Sequence, residues 1–298
     1  MKTAAIIITY HSDLIVLGRL IEALLVQVQA IVVVDNGSNK EITDWLQNAS
    51  DTITHTVLLN ANKGIATAQN TGIKWATENG FKFVILFDQD SEPENEMVNK
   101  LQEAFISKTA QGYQVAAIAP DYQDSRRDTI SPFVVVDKCR ITRKPCREKT
   151  EIVEVDFTIS SGSLISLDAI DTVGLMNEEL FIDYVDVEWA LRAKLKGLRC
   201  YGACAARMHH SLGEPPVVLM GRQFTFHSPL RHYYLFRNAI WIYRQRWIPF
   251  EFKVADGMRL IVKYFIYTLF ATPRHKHWWM MTRGMWHGLK GKMGKLPM

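Results

Sequence analysis

Two acidic side chains follow an apolar run in the first third of the chain. Residues 83–87 read Phe-Val-Ile-Leu-Phe, and Asp88 and Asp90 come directly after them, with Pro93 closing the turn. A short apolar run bounded by turn residues is typical of a buried strand in a parallel sheet. Ligands of open α/β sheets bind outside the carboxyl ends of the strands. Hard divalent cations take carboxylate oxygens together with substrate phosphates. Asp88 and Asp90 are therefore predicted to hold such a cation against a diphosphate.

The Asp-x-Asp tripeptide is informative only because of this position. The chain contains sixteen Asp among 298 residues, so about one Asp-x-Asp is expected by chance. Its place after a buried strand, inside a repeated strand–helix pattern, is what favours a functional role.

Composition indicates a soluble globular protein of one large or two modest domains, since 48% of the residues are hydrophobic and 22% are charged. The N-terminus turns polar too soon for a signal peptide. The cysteines form no C-x-x-C pair, so reduced thiols are expected and a zinc site is disfavoured. They are Cys139, Cys146, Cys200 and Cys204.

The first ninety residues alternate between strand and helix patterns. Strands are predicted at 4–9, 30–34, 56–60 and 83–87, with helices between them at 14–28, 40–47 and 65–79. Short links between such units indicate a mostly parallel, doubly wound α/β sheet with helices on both faces. No G-x-G-x-x-G follows the first strand, which disfavours a dinucleotide-binding fold.

A polar cluster stands at or just beyond the carboxyl end of each predicted strand. Because these ends meet at one edge of a parallel sheet, the clusters are expected to form one ligand site. They are Thr9-Tyr10, Asp35-Asn36-Gly37-Ser38, Asn62-Lys63-Gly64 and Asp88-Gln89-Asp90.

The middle of the chain is more varied. A helix at 94–107 and a strand at 115–119 precede a polar excursion at 121–151, which is interpreted as a surface hairpin that could cover the site. Further strands are predicted at 153–159, 164–167 and 201–208. Asp183 and Asp186 come before or in the first turn of a helix that Gly197 ends, where the helix dipole is expected to lower the pKa of a carboxylate.

In order and spacing these motifs resemble glycosyltransferase family 2, which has the GT-A fold, and in particular its bacterial rhamnosyltransferase branch. The resemblance covers about residues 3–245. Its motifs are Ile8-Thr9-Tyr10, Val34-Asp35-Asn36-Gly37-Ser38, Asn62-Lys63-Gly64 through Asn70, Phe87-Asp88-Gln89-Asp90-Ser91, Ser161-Gly162, residues 181–189, His210-Ser-Leu-Gly213, and Arg231-x-Tyr-Tyr-x-x-x-Arg-Asn238.

The resemblance implies a donor site along the same sheet edge. It assigns Thr9, Tyr10, Asp35 and Asn36 to the nucleoside, Asp88 to the nucleoside and to a Mg²⁺ or Mn²⁺ ion, Asp90 and His210 to that ion, and Lys63 to phosphate. Simpler interpretations stay open: strand-end packing for Thr9 and Tyr10, turn formation for Asp35, solvation for Lys63 and a structural role for His210.

The resemblance also implies a catalytic base. The family has a pair of acids where this chain has Val185-Asp186, so Asp186 is the favoured base, and Asp183 either replaces the missing acid or caps the helix. A diphosphate balanced by a cation leaves without a general acid. One carboxylate on the opposite face of the sugar then suffices for in-line attack with inversion. A β-L-rhamnosyl donor would give an α-linked product.

The C-terminal part differs in charge from the rest. From Arg231 onward the chain has thirteen Lys and Arg and two acids, a net charge of +11. Because the whole chain has a net charge of +4, residues 1–230 carry a net charge of −7. We predict a catalytic domain at 1–228 and a basic, aromatic helical segment at 229–298. Such a segment favours an anionic membrane surface. The alternatives are packing on the core or formation of a homo-oligomer. Nucleic acid is not predicted, because no base-reading module is present.

Together these features predict a metal-dependent inverting transferase. The expected reaction moves L-rhamnose from dTDP-β-L-rhamnose onto a lipid-linked saccharide, for O-antigen or other cell-surface polysaccharide. The expected location is the cytoplasmic side of the bacterial plasma membrane, bound peripherally. The alternatives are another donor, such as UDP-galactose or UDP-N-acetylglucosamine, and a non-catalytic membrane-associated scaffold. A nucleotidyltransferase is disfavoured, because no Gly-rich basic loop follows the first strand.

Overall fold

The computed structural model describes residues 1–49, 51–124, 129–210, 217–219 and 222–297. Within these ranges the strands are Thr3–Thr9 (β1), Ala30–Asp35 (β2), His55–Leu58 (β3), Phe83–Asp88 (β4), Ser91–Pro93 (β5), Val115–Asp124 (β6), Thr129–Ser131 (β7), Phe133–Asp137 (β8), Arg140–Lys144 (β9), Ile152–Val155 (β10), Leu164–Ser166 (β11), Arg199–His210 (β12), Val217–Leu219 (β13) and Arg222–Phe224 (β14).

The helices of the described residues are Leu14–Leu25 (α1), Lys40–Asn48 (α2), Ile65–Glu78 (α3), Met97–Ala110 (α4), Leu167–Val173 (α5), Val185–Leu195 (α6), Pro229–Arg244 (α7), Phe250–Phe270 (α8) and Arg274–Lys290 (α9), with a 3₁₀ turn at Glu178–Leu180. Local signals set several ends. Asp13 caps α1 by accepting from Ile15 N and Val16 N, and Gly80 and Gly197 follow α3 and α6 with positive φ.

The central sheet is mostly parallel, as predicted. Its order is β10-β12-β6-β11-β4-β1-β2-β3. Strands β1, β2, β3 and β4 are parallel to one another, whereas β11 runs antiparallel between β4 and β6. The sequence did not predict this reversal, because a three-residue strand carries no periodicity from which to read direction. Strand β10 is also shorter than the predicted 153–159.

Both faces of the sheet are covered by helices, which explains why the central strands β1, β2 and β4 are almost wholly apolar. Residues Ala4, Ile6 and Ile8 of β1 pack with α3, α5 and α6, and Ala5 and Ile7 pack on the other face with α1, α2 and α4. The two cores therefore hold β1, β2 and β4 rigidly, and the turns at their carboxyl ends are fixed by the same packing.

The predicted excursion at 121–151 contains a hairpin of β8 and β9. Phe133 packs against Gly202, Val134 bridges to Phe157 in an isolated pair, and the hairpin lies against α8. The prediction of reduced cysteines is wrong for one pair, since Cys146 and Cys204 form a disulfide. These cysteines are 58 residues apart, so only the tertiary fold brings them together.

The C-terminal part is helical, as predicted, and α7 begins at Pro229, next to the expected domain boundary. Helices α7 and α9 approach closely where α9 carries Gly284, since a Cβ atom there would lie 2.4 Å from the carbonyl oxygen of Tyr233. Among the described residues no helix is both long and apolar enough to cross a membrane. Whether residues 229–298 form a separate domain stays a prediction.

Candidate functional site

The turn after β2 encloses a buried carboxylate. Asp35 is fully buried, and its Oδ2 accepts from Gly37 N (3.0 Å) and Ser38 N (2.8 Å). Its Oδ1 accepts from Thr9 Oγ1 (3.0 Å) and from the Ser38 hydroxyl. Asp35 therefore holds the ends of β1 and β2 in one arrangement, and turn formation is one of its roles here. Contact with a nucleoside stays a prediction for Thr9 and Asp35.

A second set of hydrogen bonds joins this turn to the start of α3. Asn36 Oδ1 accepts from the backbone N–H of Lys63 (2.8 Å), and Asn36 Nδ2 donates to Asn62 Oδ1 (3.3 Å). The Lys63 side chain is exposed. Gly64 has φ +91°, and a Cβ atom on it would lie 2.6 Å from the carbonyl oxygen of Phe181. The start of α3 is thereby in contact with Phe181, in the loop that also carries Asp183.

Gln89, which lies between the two predicted metal ligands, connects the ends of β1 and β4 by hydrogen bonds. Gln89 Oε1 accepts from Tyr10 N (2.7 Å) and Ser12 Oγ (2.7 Å). The Tyr10 side chain itself is 43% exposed, so its ring is available to stack on a base. Sequence reasoning gave no role to Gln89, although the quoted motif contains it.

Asp88 and Asp90 lie at the end of β4, both partly buried. Asp88 N donates to Ser161 Oγ (3.2 Å), which is 2.6 Å from Ser91 Oγ. The backbone of His210 pairs with Ser91 in the β5–β12 ladder, which brings the predicted third ligand beside the acidic pair. The side chain of His210 lies outside the described part of the structure.

The acidic pair fits a divalent cation. Among the described residues no group of three His, Cys, Asp or Glu side chains could hold a metal by itself. Magnesium is usually bound by one or two carboxylates plus substrate phosphates rather than by an all-protein cage. Asp88 and Asp90 match that pattern, because they would hold the ion together with a diphosphate.

The second half of the site is the loop at 181–184, which precedes α6. Phe181, Asp183 and Tyr184 all have φ near +65°, a conformation that costs about 1–3 kcal/mol for each non-glycine residue. Asp183 Oδ1 accepts from Arg231 Nη2 (3.3 Å) and Nε (3.4 Å). The Tyr184 hydroxyl donates to Asp256 Oδ2 (2.6 Å) on α8. The loop is therefore held by contacts from α7 and α8.

Asp186 lies in the first turn of α6, and its pKa is raised above the usual range of an aspartate. Its pKa is raised to about 6, chiefly by burial; the hydrogen bond from Val187 N (2.9 Å) opposes the rise, and the negative charges of Asp183 and Asp88 contribute to it. The prediction that the helix dipole would lower this pKa is wrong, because loss of solvent outweighs the dipole. A carboxylate with a pKa near neutrality is suited to accept a proton. Because the charge of Asp88 contributes to this shift, Asp186 lies near the end of β4.

Two neighbouring residues of α7 hold the strained loop. Asn238 Nδ2 donates to the carbonyl oxygens of Leu180 (2.9 Å), Ile182 (2.8 Å) and Asp183 (2.9 Å). Arg237, which is fully buried, donates through Nη2 to Leu180 O (2.9 Å) and through Nη1 to the carbonyl of Gly294. Sequence reasoning quoted these residues in a motif without assigning them a role. The signal in the sequence is an Arg directly followed by an Asn within an aromatic stretch.

The sequence matches the family model described as glycosyl transferase family 2 over residues 4–171. It is 34% identical over 280 residues to a protein named dTDP-rhamnosyl transferase RfbF from Shigella flexneri, covering 91% of this chain and 89% of that protein.

Two solved structures share the architecture. The crystal structure of S. aureus TarS 1–349 in complex with UDP-GlcNAc matches 97% of this chain and 81% of its own, with a TM-score of 0.61 and 17% identity. That of GalNAc-T7 with UDP, GalNAc and Mn²⁺ matches 97% of this chain, which spans 56% of its length, with a TM-score of 0.59 and 13% identity. These likenesses show the fold, which is GT-A. The family match and the relative together show that the chain belongs to glycosyl transferase family 2.

Proposed function

We propose that this enzyme transfers L-rhamnose from dTDP-β-L-rhamnose to a hydroxyl group of a lipid-linked saccharide, with inversion. The observation that carries the proposal is Asp186, a carboxylate whose pKa is raised to about 6 beside the acidic pair at the end of β4. The donor identity is supported by the relative named dTDP-rhamnosyl transferase, which is similar along nearly its whole length.

The proposed donor site lies at the edge of the sheet where the parallel strands end. Tyr10 offers an exposed ring to the base, and Asp35 and Asn36 fix the turn that would line the nucleoside pocket. Asp88 and Asp90 would hold a Mg²⁺ or Mn²⁺ ion, which when bound neutralises the diphosphate and makes it a better leaving group. His210 and Lys63 are the further candidates for contact with that diphosphate.

The proposed acceptor site lies at the loop at 181–184 and the start of α6. Asp186 takes the proton of the attacking hydroxyl as the new bond forms. Asp183 is held by Arg231 and raises the pKa of Asp186 through its charge, so we assign it to positioning rather than to proton transfer. Attack from the face opposite the diphosphate inverts the anomeric centre and gives an α-linked rhamnoside.

We further propose peripheral binding at the cytoplasmic surface of the membrane, where the product would enter O-antigen or another polysaccharide. Helix α8 carries an exposed apolar stripe at three- and four-residue spacing, and α9 exposes tryptophans among basic residues. The stripe is Met258, Ile261, Val262, Phe265 and Leu269, and the tryptophans are Trp278, Trp279 and Trp286. Flotation with phosphatidylglycerol vesicles tests this, since Phe265→Glu should weaken binding. Ile106 on α4, which is 52% exposed against 60% for Phe265, provides the control Ile106→Glu.

A different sugar nucleotide is the second candidate, because the TarS structure contains UDP-GlcNAc. A thermal-shift panel of dTDP, UDP and GDP, each with and without Mn²⁺, separates the two. We expect the largest rise in melting temperature with dTDP and Mn²⁺, since a ligand stabilises the state it binds. Asp90→Asn should lose the Mn²⁺-dependent part, whereas Asp44→Asn on the exposed side of α2 should not. A larger shift with UDP or GDP would reject the rhamnosyl donor.

A further inference from the structure

A group of basic side chains lies beside Asp183, between α7, α8 and the segment that leads into α7. Arg231 contacts Asp183 Oδ1 at 3.3 Å, and the other Asp183 oxygen is buried without a hydrogen-bond partner among the described residues. Lys263 projects from α8 toward the same place. No part of the proposed donor site uses these groups.

The position of Lys263 follows from its neighbours on α8. One turn later, the Tyr267 ring stacks on His232 with centroids 4.0 Å apart, and its hydroxyl donates to Thr225 O (3.2 Å). Two turns earlier, Asp256 accepts from the Tyr184 hydroxyl. Residues at this spacing share one helix face. Lys263 therefore faces the loop at 183–184 and the segment at 225–232.

The charges in this region do not cancel. Three cations, Arg231, Arg259 and Lys263, face two carboxylates, Asp183 and Asp256. Lys263 is partly buried, and within the described part of the chain its ammonium group has no carboxylate at ion-pair distance. Burial lowers the pKa of Lys263, and Arg259 acts in the same direction against the charges of Asp256 and Asp183. A partly desolvated cation is costly unless an anion pairs with it.

His227 adds a neutral donor to this group. Its pKa is lowered to about 4, chiefly by burial, and the charges of Arg231 and Lys263 contribute to this shift against the opposing charge of Asp183. Near neutral pH its ring is therefore uncharged and keeps one N–H donor. A guanidinium fork, an ammonium and an imidazole N–H that lie near one another are the donors that a phosphate group takes.

We propose that Arg231 and Lys263, with His227 beside them, form a subsite for a phosphate group of the acceptor. The inference rests on the proposed function, because it places this phosphate on the substrate that delivers a hydroxyl to Asp186. Asp183 and Asp186 are three residues apart, so their Cα atoms are separated by at most about 11 Å. The reacting sugar would thus lie close to the phosphate that joins the saccharide to its lipid.

Isothermal titration of the full-length protein, saturated with dTDP and Mg²⁺, with octyl phosphate tests this subsite. Saturation fills the donor site, so binding beyond it reports a second site. We expect octyl phosphate to bind and octyl glucoside not to bind. Lys263→Gln should weaken octyl phosphate binding roughly ten-fold or more, the effect of losing a hydrogen bond to a charged group. Lys263→Arg should retain most of it.

Lys276→Gln is the matched control, because it removes the same charge from an exposed position on α9. Its affinity for octyl phosphate should equal that of the wild type. If Lys263→Gln does not fold, Arg231→Gln provides the second variant, since the Arg231 side chain is 41% exposed and is expected to be tolerated. Equal affinity in wild type and the folded variant would overturn the proposal.

A lipid headgroup is the other source of a phosphate. If Lys263→Gln reduced flotation with phosphatidylglycerol vesicles as strongly as it reduced octyl phosphate binding, the subsite would belong to the membrane and the acceptor assignment would be wrong. Unchanged flotation supports the acceptor. Failure of the proposed donor is a separate result, since it would appear as the absence of a dTDP-induced thermal shift, whatever octyl phosphate does.

Discussion

The two halves of the proposed site, one for the donor and one for the acceptor, are built in different ways. On the donor half, Thr9, Asp35 and Asp88 stand at the ends of neighbouring parallel strands, and their turns are closed by short-range bonds such as Ser38 N to Asp35 Oδ2. On the acceptor half, Asp183 sits in a strained loop that is held by residues more than forty positions away, among them Arg231 and Asn238. The donor half is therefore a product of the sheet, and the acceptor half is a product of the C-terminal helices.

This difference assigns a second task to residues 229–298. Arg237 and Asn238 bond the loop backbone, Asp256 bonds Tyr184, and Gly294 N donates to Glu179 O at 2.7 Å. The same segment exposes the apolar stripe proposed to meet the membrane. The surface proposed to meet the membrane and the residues that hold the loop at 181–184 therefore lie in the same segment of the chain.

The largest expected effect comes from removing the base. Asp186→Asn should lower kcat by roughly 10²–10⁴-fold, the range for loss of a general base. The dTDP-induced thermal shift should persist, because the donor half is untouched. The melting temperature should not fall at neutral pH, because the burial that raises the pKa of Asp186 makes its charge unfavourable in the folded state. Loss of the dTDP shift would mean that the two halves are not separate.

The next effect concerns the support of the loop. Asn238→Ala removes the donors to three carbonyl groups and should destabilise the fold by about 1–3 kcal/mol. A displaced loop should also lower kcat by on the order of 10²-fold. Asn79→Ala is the control, because Asn79 Nδ2 also donates to a backbone carbonyl, that of Trp75, but at an exposed helix end. Normal turnover in a folded Asn238→Ala protein would remove the α7 residues from the account.

Gly64 lies where the halves meet, and a methyl group there strains both. Gly64→Ala adds a positive-φ penalty and a clash with Phe181, so we expect it to lower the free energy of unfolding by roughly 2–3 kcal/mol. Gly80→Ala carries a positive-φ penalty without a clash, since nothing lies within 4 Å of its Cβ position. It should cost about 1–2 kcal/mol. Chemical denaturation measures both, and equal losses would show that the Gly64–Phe181 contact is not tight.

Much of the donor half could be predicted from the sequence. Apolar runs ending in turn residues placed Asp35 and Asp88, and Gly197 marked a helix end, because these signals act over a few residues. The acidity of Asp186 could not be predicted, since it depends on burial and on Asp183 and Asp88, which the fold brings near. The Cys146–Cys204 disulfide and the direction of β11 could not be predicted for the same reason, because both are set by contacts between residues distant in sequence.

The smallest expected effect is a shift in pH dependence. The base must be ionised, so kcat/KM should fall about ten-fold per pH unit below about pH 6, the pKa to which burial raises Asp186. Asp183→Asn removes a negative charge that raises this pKa, so the acidic limb should move to lower pH. Initial rates from pH 4.5 to 8 would show this. A limb that stays in place in Asp183→Asn, or moves upward, would contradict the assignment of Asp186.

A crystal structure of the protein soaked with dTDP and Mn²⁺ tests the central claim most directly. The account predicts manganese bound to Asp90 and the diphosphate, the thymine ring against Tyr10, and Asp186 across the sugar-binding space from the metal. A nucleotide bound elsewhere, or a diphosphate seated on Arg231 and Lys263 while the end of β4 stays vacant, would contradict it.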